Sequence, residues 1–141
     1  MKSRLQGLKQ ICDQYGIHTM YAFGSQAKKI RNLVEGHQAT PPPSSSDVDI
    51  GVKVKSGEKF SVTEKVNLAL ALEELFGCKR VDLISLSDAD PFLAAEVIRG
   101  ERLFTHNEHE ADEYELYVLR RAGDLAPLER ERMALVLGES A

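Results

Sequence analysis

The sequence predicts a mixed α/β fold of the α+β class, in which a central mixed sheet is flanked by helices. Two observations predict it. Short runs rich in strand-forming residues alternate along the chain with stretches whose apolar residues recur at helical spacing. The length of 141 residues suits one domain with a short tail, and 43% hydrophobic with 28% charged residues is ordinary for a globular protein.

The N-terminal part predicts a helix, a strand and a second helix. Residues 3–15 carry apolar side chains at helical spacing. Ile17–Phe23 is rich in strand formers and ends at Gly24-Ser25, after which Gln26–Val34 can be helical. A strand therefore runs directly into a glycine-serine turn and a helix.

The middle of the chain predicts a loop, a strand and a long helix. Three consecutive prolines and three consecutive serines make Glu35–Ser46 an exposed loop. Asp47–Val54 reads as a strand, and a periodic helix follows from about Val62 to Phe76. The helical residues expected to face the core are Val66, Leu70, Leu72 and Leu75.

The next segment predicts a strand, a capped helix and a short edge strand. Lys79–Leu86 is an apolar strand with one embedded acid, Asp82. Asp88 or Asp90 can cap a helix that has Pro91 in its first turn and runs to Arg99. Glu101–Phe104 is expected to form the edge strand.

Residues 1–105 are therefore interpreted as the main domain, and residues 106–141 as a helical tail that packs on the domain or on a partner. The tail predicts two helices, Glu108–Ala122 and Pro127–Leu137, separated by Gly123-Asp124. The alternation of strands and helices predicts that adjacent strands are joined through helical crossovers.

Charge and hydropathy exclude some classes of function. The net charge of −4 disfavours nucleic acid as the principal partner, because neutralising phosphates requires a basic face. The sequence contains neither a signal peptide nor a stretch apolar enough to cross a bilayer. A cytoplasmic protein that does not bind membranes is the expectation.

Three aspartates predict a metal site. Side chains on a strand alternate between faces, so Asp47 and Asp49 project from the same face. Two carboxylates one pleat apart repel each other unless solvent or a cation compensates. Asp82 breaks an otherwise apolar strand, as functional residues often do.

Three carboxylates without a histidine or cysteine suit Mg²⁺, which is usually bound together with substrate phosphates. The implied substrate is a nucleoside triphosphate. Asp82 is also a candidate to deprotonate the acceptor hydroxyl.

The Gly24-Ser25 turn is the second candidate feature. Glycine allows close approach of the backbone, and the start of the following helix offers N–H groups and a positive dipole to phosphate oxygens. Lys28 and Lys29 follow one turn later and can reach the phosphates, although a solvated helix face is the alternative. His106 and His109 are read as a solvated helix start and not as metal ligands.

Taken in order, Gly24-Ser25, Asp47-Val48-Asp49 and Asp82 resemble the minimal nucleotidyltransferases of the DNA polymerase β-like superfamily. The resemblance covers roughly residues 17–104. It implies the polymerase β-like fold, triphosphate binding at the turn, and Mg²⁺ held by the three acids. The family pattern Gly-Ser-x-Ala-Arg-Gly ends here in Lys28-Lys29, which keeps a charge and replaces a glycine.

Small bacterial members of this kind resemble antitoxins paired with a HEPN ribonuclease toxin, whose tyrosine they modify with AMP from ATP. The resemblance therefore implies a Mg²⁺-dependent protein adenylyltransferase that acts as an antitoxin. Two alternatives stay open: transfer to a small hydroxyl compound such as an aminoglycoside, and a non-catalytic module that masks the toxin.

Overall fold

Helices and strands alternate along the chain in the computed structural model, which describes residues 3–37, 47–56 and 59–137, apart from the side chain of Glu129. The elements within these residues are α1 (Arg4–Gln14), β1 (Ile17–Phe23), α2 (Ala27–Glu35), β2 (Val48–Val54), α3 (Val62–Phe76), β3 (Val81–Ser85), α4 (Pro91–Ile98), β4 (Glu101–Thr105) and α5 (Glu108–Val136). The mixed fold predicted from the sequence is confirmed. Most of the predicted loop, residues 38–46, lies outside the described residues.

The four strands form one mixed sheet in the order β3-β2-β1-β4. Strand β2 pairs in parallel with β3, whereas β1 is antiparallel to both β2 and β4. The expectation that helical crossovers join adjacent strands is therefore correct only for β2 and β3, which α3 connects. Helix α2 lies between β1 and β2 along the chain, yet these strands run in opposite directions.

Both faces of the sheet are covered, and this is why all seven residues of β1 are buried. Met20 and Ala22 belong to a core with α1, α2 and α3 on one face. Tyr21 and Phe23 alternate with them and belong to a second core with α4 and α5 on the other face.

Local capping explains where several helices begin. The side chains of Ser3 and Ser61 each accept a hydrogen bond from the backbone N–H three residues later. In return, the side chain of that later residue, Gln6 or Glu64, accepts a hydrogen bond from the backbone N–H of the serine. The Asp90 side chain caps α4, with Pro91 as its first residue. Of the two caps that the sequence allowed, Asp90 is the one used.

Helix α3 turns a different stripe toward the core than expected. Leu68, Leu72 and Phe76 are fully buried, whereas Val66 and Leu70 are more than half exposed. The expectation was wrong for these two residues because α3 carries apolar side chains on several sides, so spacing alone did not select the buried stripe.

The predicted pair of C-terminal helices is one continuous helix, α5, with Pro127 inside it. Gly123 weakens a helix by only about 1 kcal/mol relative to alanine and therefore does not have to end it. The side chains of α5 that are described as buried all lie in its first half, at Ala111, Val118 and Ala122. Among the described helices, none combines the length and apolarity needed to span a membrane.

Candidate active site

The glycine-serine turn lies where β1 ends. Phe23 is the last strand residue, and Gly24 has a φ of +77°, the left-handed conformation that other residues adopt at a cost. Helix α2 follows, and the side chain of its N-cap residue, Gln26, makes no capping hydrogen bond. The N–H of Ala27 donates to the Gly24 carbonyl at 3.3 Å. The next N–H groups of the first turn and the positive end of the helix dipole are what α2 offers to an anion.

Two of the three predicted acids occupy neighbouring strands at the same height. Asp49 on β2 is the register partner of Asp82 on the parallel strand β3. Adjacent strands lie about 4.8 Å apart, so the two side chains project side by side. Asp47 directly precedes β2 and is exposed, two residues before Asp49 and on the same side.

The turn and the acids meet at one end of the sheet. Phe23 is the register partner of Asp49 across the β1–β2 pair, which brings Gly24 next to that acid. A Cβ atom built on Gly24 would lie 2.6 Å from Oδ2 of Asp49. Glycine is therefore required here both for the backbone angle and for the space that the carboxylate occupies.

The acids act on one another electrostatically. Partial burial raises the pKa of Asp49 above its ordinary value, and the charges of Asp82, Asp47 and Glu96 raise it further. Glu96 lies on α4 and was not predicted from the sequence. Such mutual repulsion is relieved when a cation binds between the carboxylates.

The donor set fits Mg²⁺ in its chemistry, because every candidate ligand is a carboxylate oxygen. Arg80 already contacts one of these ligands, since its Nε lies 3.1 Å from Oδ1 of Asp82. Within the described part of the chain, no group of three or more acidic, histidine or cysteine side chains is arranged as a metal site. The acids are therefore neighbours that a cation would draw together.

A cleft of about 410 Å³ adjoins the turn and crosses the end of β1. The glycines and charged residues that line it come from the turn, the start of α2, the end of α4 and the start of β4. Of the two lysines predicted to reach phosphates, Lys28 lines this cleft, whereas Lys29 is exposed and does not line it. Arg99 and Glu96 line it from the end of α4, which packs on the other face of the sheet from α2.

The histidines lie away from the acids. His18, near the start of β1, is buried, and its Nε2 lies 2.7 Å from Oε2 of Glu110 on α5. His109 is exposed and pairs with Glu113 within the same helix. The His18 contact joins α5 to the sheet, and the His109 contact lies within α5, so these two histidines are paired away from the three acids.

Comparison with protein families decides the class of the molecule. The profile of the family described as "Polymerase beta, Nucleotidyltransferase" matches residues 6–109. The chain belongs to this nucleotidyltransferase family. A search of curated proteins gave no significant match.

Solved structures share the fold of this nucleotidyltransferase. A toxin-antitoxin structure described as MntA-HpeT mutant D39ED41E has a TM-score of 0.70 at 17% identity, covering 94% of this chain and 98% of the other. A toxin-antitoxin structure with AMP-PNP has a TM-score of 0.68 at 17% identity and the same two coverages. A third describes a tri-AMPylated Shewanella oneidensis HEPN toxin in complex with an MNT antitoxin. It has a TM-score of 0.67 at 16% identity, covering 95% of this chain and 96% of the other.

Sequence reasoning missed three charged residues of this nucleotidyltransferase around the candidate site. Arg80 stands two residues before Asp82, and this strand spacing was a usable signal for their contact. Glu96 and Arg99 lie on α4 and at its end, and their direction depends on how α4 packs on the sheet. No local pattern in the sequence reveals that packing.

Proposed function

We propose that this nucleotidyltransferase transfers AMP from ATP to a tyrosine hydroxyl of a HEPN-type toxin and thereby acts as its antitoxin. The observation that carries the proposal is the contact of the Gly24 turn with Asp49, which is itself in register with Asp82. A phosphate-binding turn and neighbouring carboxylates are the two halves of a nucleotide-transfer site. The family and the fold shared with complexes of AMP-modified HEPN toxin support this choice of donor and acceptor.

The triphosphate would bind at the start of α2. Gly24 lets the backbone approach the phosphates, the Ser25 hydroxyl donates a hydrogen bond, and Lys28 supplies a positive charge from the cleft wall. The AMP-PNP described for a structure of the same fold supports a nucleoside triphosphate as donor.

The three acids would hold Mg²⁺, which supplies Lewis-acid activation of the acceptor hydroxyl and neutralises charge on the triphosphate. In the transfer, the tyrosine oxygen forms a bond to the α-phosphorus while the bond to the β-phosphate oxygen breaks, and pyrophosphate leaves. Asp82 would accept the proton of the tyrosine hydroxyl. Asp49 and Asp47 would act on the negatively charged phosphates only through the Mg²⁺ that they would hold.

The second half of α5 is suited to hold the protein acceptor. Contacts of Glu110 with His18 and of Glu115 with Tyr21 indicate that α5 runs in the direction of β1, toward the end where Gly24 lies. After Ala122, no described residue of α5 is buried, and these 14 helical residues span about 21 Å. Their exposed apolar side chains are Leu128, Met133, Leu135 and Val136, with Leu137 directly after them.

This division refines the reading of residues 106–141 as a tail. The first half of α5 packs on the domain in the second core. The second half would bind the partner and bring its tyrosine to the acids.

Leu128→Glu with Leu135→Glu would abolish complex formation in size-exclusion chromatography. Val62→Glu, at an exposed apolar residue on α3, is the matched control and would leave the complex intact.

The experiment for the proposed activity uses the purified protein, MgATP and the HEPN-type protein that it binds. Intact-mass spectrometry is expected to show AMP added to the partner, and peptide mapping to place it on tyrosine. Asp49→Asn should form the same complex without adding AMP. An unmodified partner after incubation with the wild type would refute the activity.

A masking function without catalysis is the second candidate, because the exposed apolar half of α5 can bind a toxin by itself. The two functions differ in their dependence on the acids. If Asp47→Asn with Asp49→Asn still protects cells from the toxin, masking is the correct function. If protection is lost while the complex persists, enzymatic modification is correct.

A further inference from the structure

The cleft beside the turn has a positively charged residue on each wall. Lys28 lies on α2, and Arg99 is the residue that ends α4. These two elements pack against opposite faces of the sheet, and both line the cleft at the end of β1. An anion that enters the cleft from the Gly24 turn therefore lies between two cations.

The backbone at Arg99 is held in place by close packing. Its N–H donates to the carbonyl of Ala95 at 3.2 Å. A Cβ atom on the next residue, Gly100, would lie 2.3 Å from the carbonyl oxygen of Ala22 on β1. The end of α4 therefore sits directly against β1, and a residue larger than glycine at position 100 would push Arg99 away from the cleft.

Among the described residues, the Arg99 side chain takes no part in holding the fold together. Three other arginines near this end of the sheet are engaged: Arg31 with Glu35 and Glu101, Arg80 with Asp82, and Arg102 with Asp112 and Glu115. Arg99 makes no ion pair or side-chain hydrogen bond within the described residues, and it is exposed. An arginine without a partner on the wall of a cleft is available to a ligand.

We propose that Arg99 is a further triphosphate-binding residue, whose guanidinium contacts the β- and γ-phosphates from the wall opposite Lys28. The inference rests on the proposed use of a nucleoside triphosphate at this site. Guanidinium forms paired, charge-assisted hydrogen bonds with phosphate oxygens. A second cation also offsets Glu96 and Glu101, which line the same cleft.

The test compares binding of ATP and AMP, because only ATP carries the phosphates that Arg99 would contact. Isothermal titration in Mg²⁺ is expected to show that Arg99→Gln weakens ATP binding about tenfold or more and leaves AMP binding unchanged. Arg99→Lys keeps the charge without the paired hydrogen bonds, so its ATP affinity should lie between those of the wild type and Arg99→Gln. Arg120→Gln, at an exposed arginine on α5, is the control and should bind both nucleotides normally.

The outcomes separate this inference from the proposed function. Equal ATP binding by the wild type and Arg99→Gln would overturn the role of Arg99 alone. Equal weakening of ATP and AMP would also overturn it, since the contact would then not be with the β- and γ-phosphates. A wild type that binds neither nucleotide would remove the donor assumed in the proposed function. If a lower melting temperature shows that Arg99→Gln is poorly folded, the ATP and AMP affinities of Arg99→Lys decide instead.

Discussion

Gly24 and Asp49 face each other across the ends of β1 and β2, with no room for a side chain at position 24. The Cβ of any other residue would lie 2.6 Å from Oδ2 of Asp49. The turn proposed to bind phosphates and the acid proposed to hold the metal are therefore packed against each other. A change in one is expected to displace the other.

Gly24→Ala is expected to abolish nucleotide transfer. Alanine at a positive φ costs about 1–2 kcal/mol, and its methyl group would also push the Asp49 carboxylate aside. Gly36→Ala is the matched control, because Gly36 has a similar φ of +82° with nothing near its missing side chain. Both variants should lose stability in thermal melts, Gly24→Ala at least as much as Gly36→Ala, and only Gly24→Ala should lose activity. Equal activity in the two variants would contradict the steric argument.

Asp49→Asn is expected to stabilise the protein in EDTA. The pKa of Asp49 is raised by burial and by three neighbouring acids, so keeping it ionised at neutral pH costs folding free energy. This cost is absent at low pH, where the carboxyl is protonated, and it appears as the pH rises through the raised pKa. The melting temperature at neutral pH should therefore rise in Asp49→Asn and stay unchanged in Asp124→Asn, an exposed acid on α5.

Adding Mg²⁺ should reverse the order of the two melting temperatures, so that the wild type melts above Asp49→Asn. The wild type should gain stability from the cation, and Asp49→Asn should gain little. A wild type that melts at the same temperature with and without Mg²⁺ would argue against a cation at these acids.

Arg80→Gln is expected to lower the Mg²⁺ concentration needed for half-maximal transfer. The guanidinium contacts Asp82 and competes with a cation for that carboxylate. Exposed ion pairs contribute at most about 1 kcal/mol, so the shift should be no more than about fivefold. Lys79→Gln, at the preceding exposed residue, should not shift it. A higher Mg²⁺ requirement in Arg80→Gln would instead show that Arg80 assists the site.

Gly123→Ala is expected to stabilise the protein by about 0.5–1 kcal/mol in chemical denaturation, because Gly123 lies inside α5 with open space around it. The variant directly tests whether α5 is continuous. If the chain broke at position 123 as two separate helices, alanine would be neutral or destabilising there.

The sequence predicted each strand and the first four helices because each has a local signal. Ser61, Asp90 and Pro91 mark helix starts, and Gly77 marks the end of α3. What failed has two causes. The buried stripe of α3 depends on tertiary packing. The continuity of α5 was missed because Gly123 and Pro127 predict breaks, although neither ends the helix and both lie in its exposed half.

The candidate site was likewise predictable only where local sequence signals define it. Asp47, Asp49 and Gly24 could be named as candidates because strand alternation and turn chemistry are local. Their approach to one another depends on the pairing of β1 with β2 and of β2 with β3. Glu96 and Arg99 could not be placed, since they reach the cleft only through the position of α4.

The most direct test of the central claim follows label from ATP onto the HEPN partner in the presence of Mg²⁺. ATP labelled at the α-phosphate should label the partner, and ATP labelled at the γ-phosphate should not. Asp49→Asn and Asp82→Asn should each abolish labelling while keeping the complex. Labelling that persists in both variants, or that comes from the γ-phosphate, would contradict the assignment of these acids to nucleotide transfer.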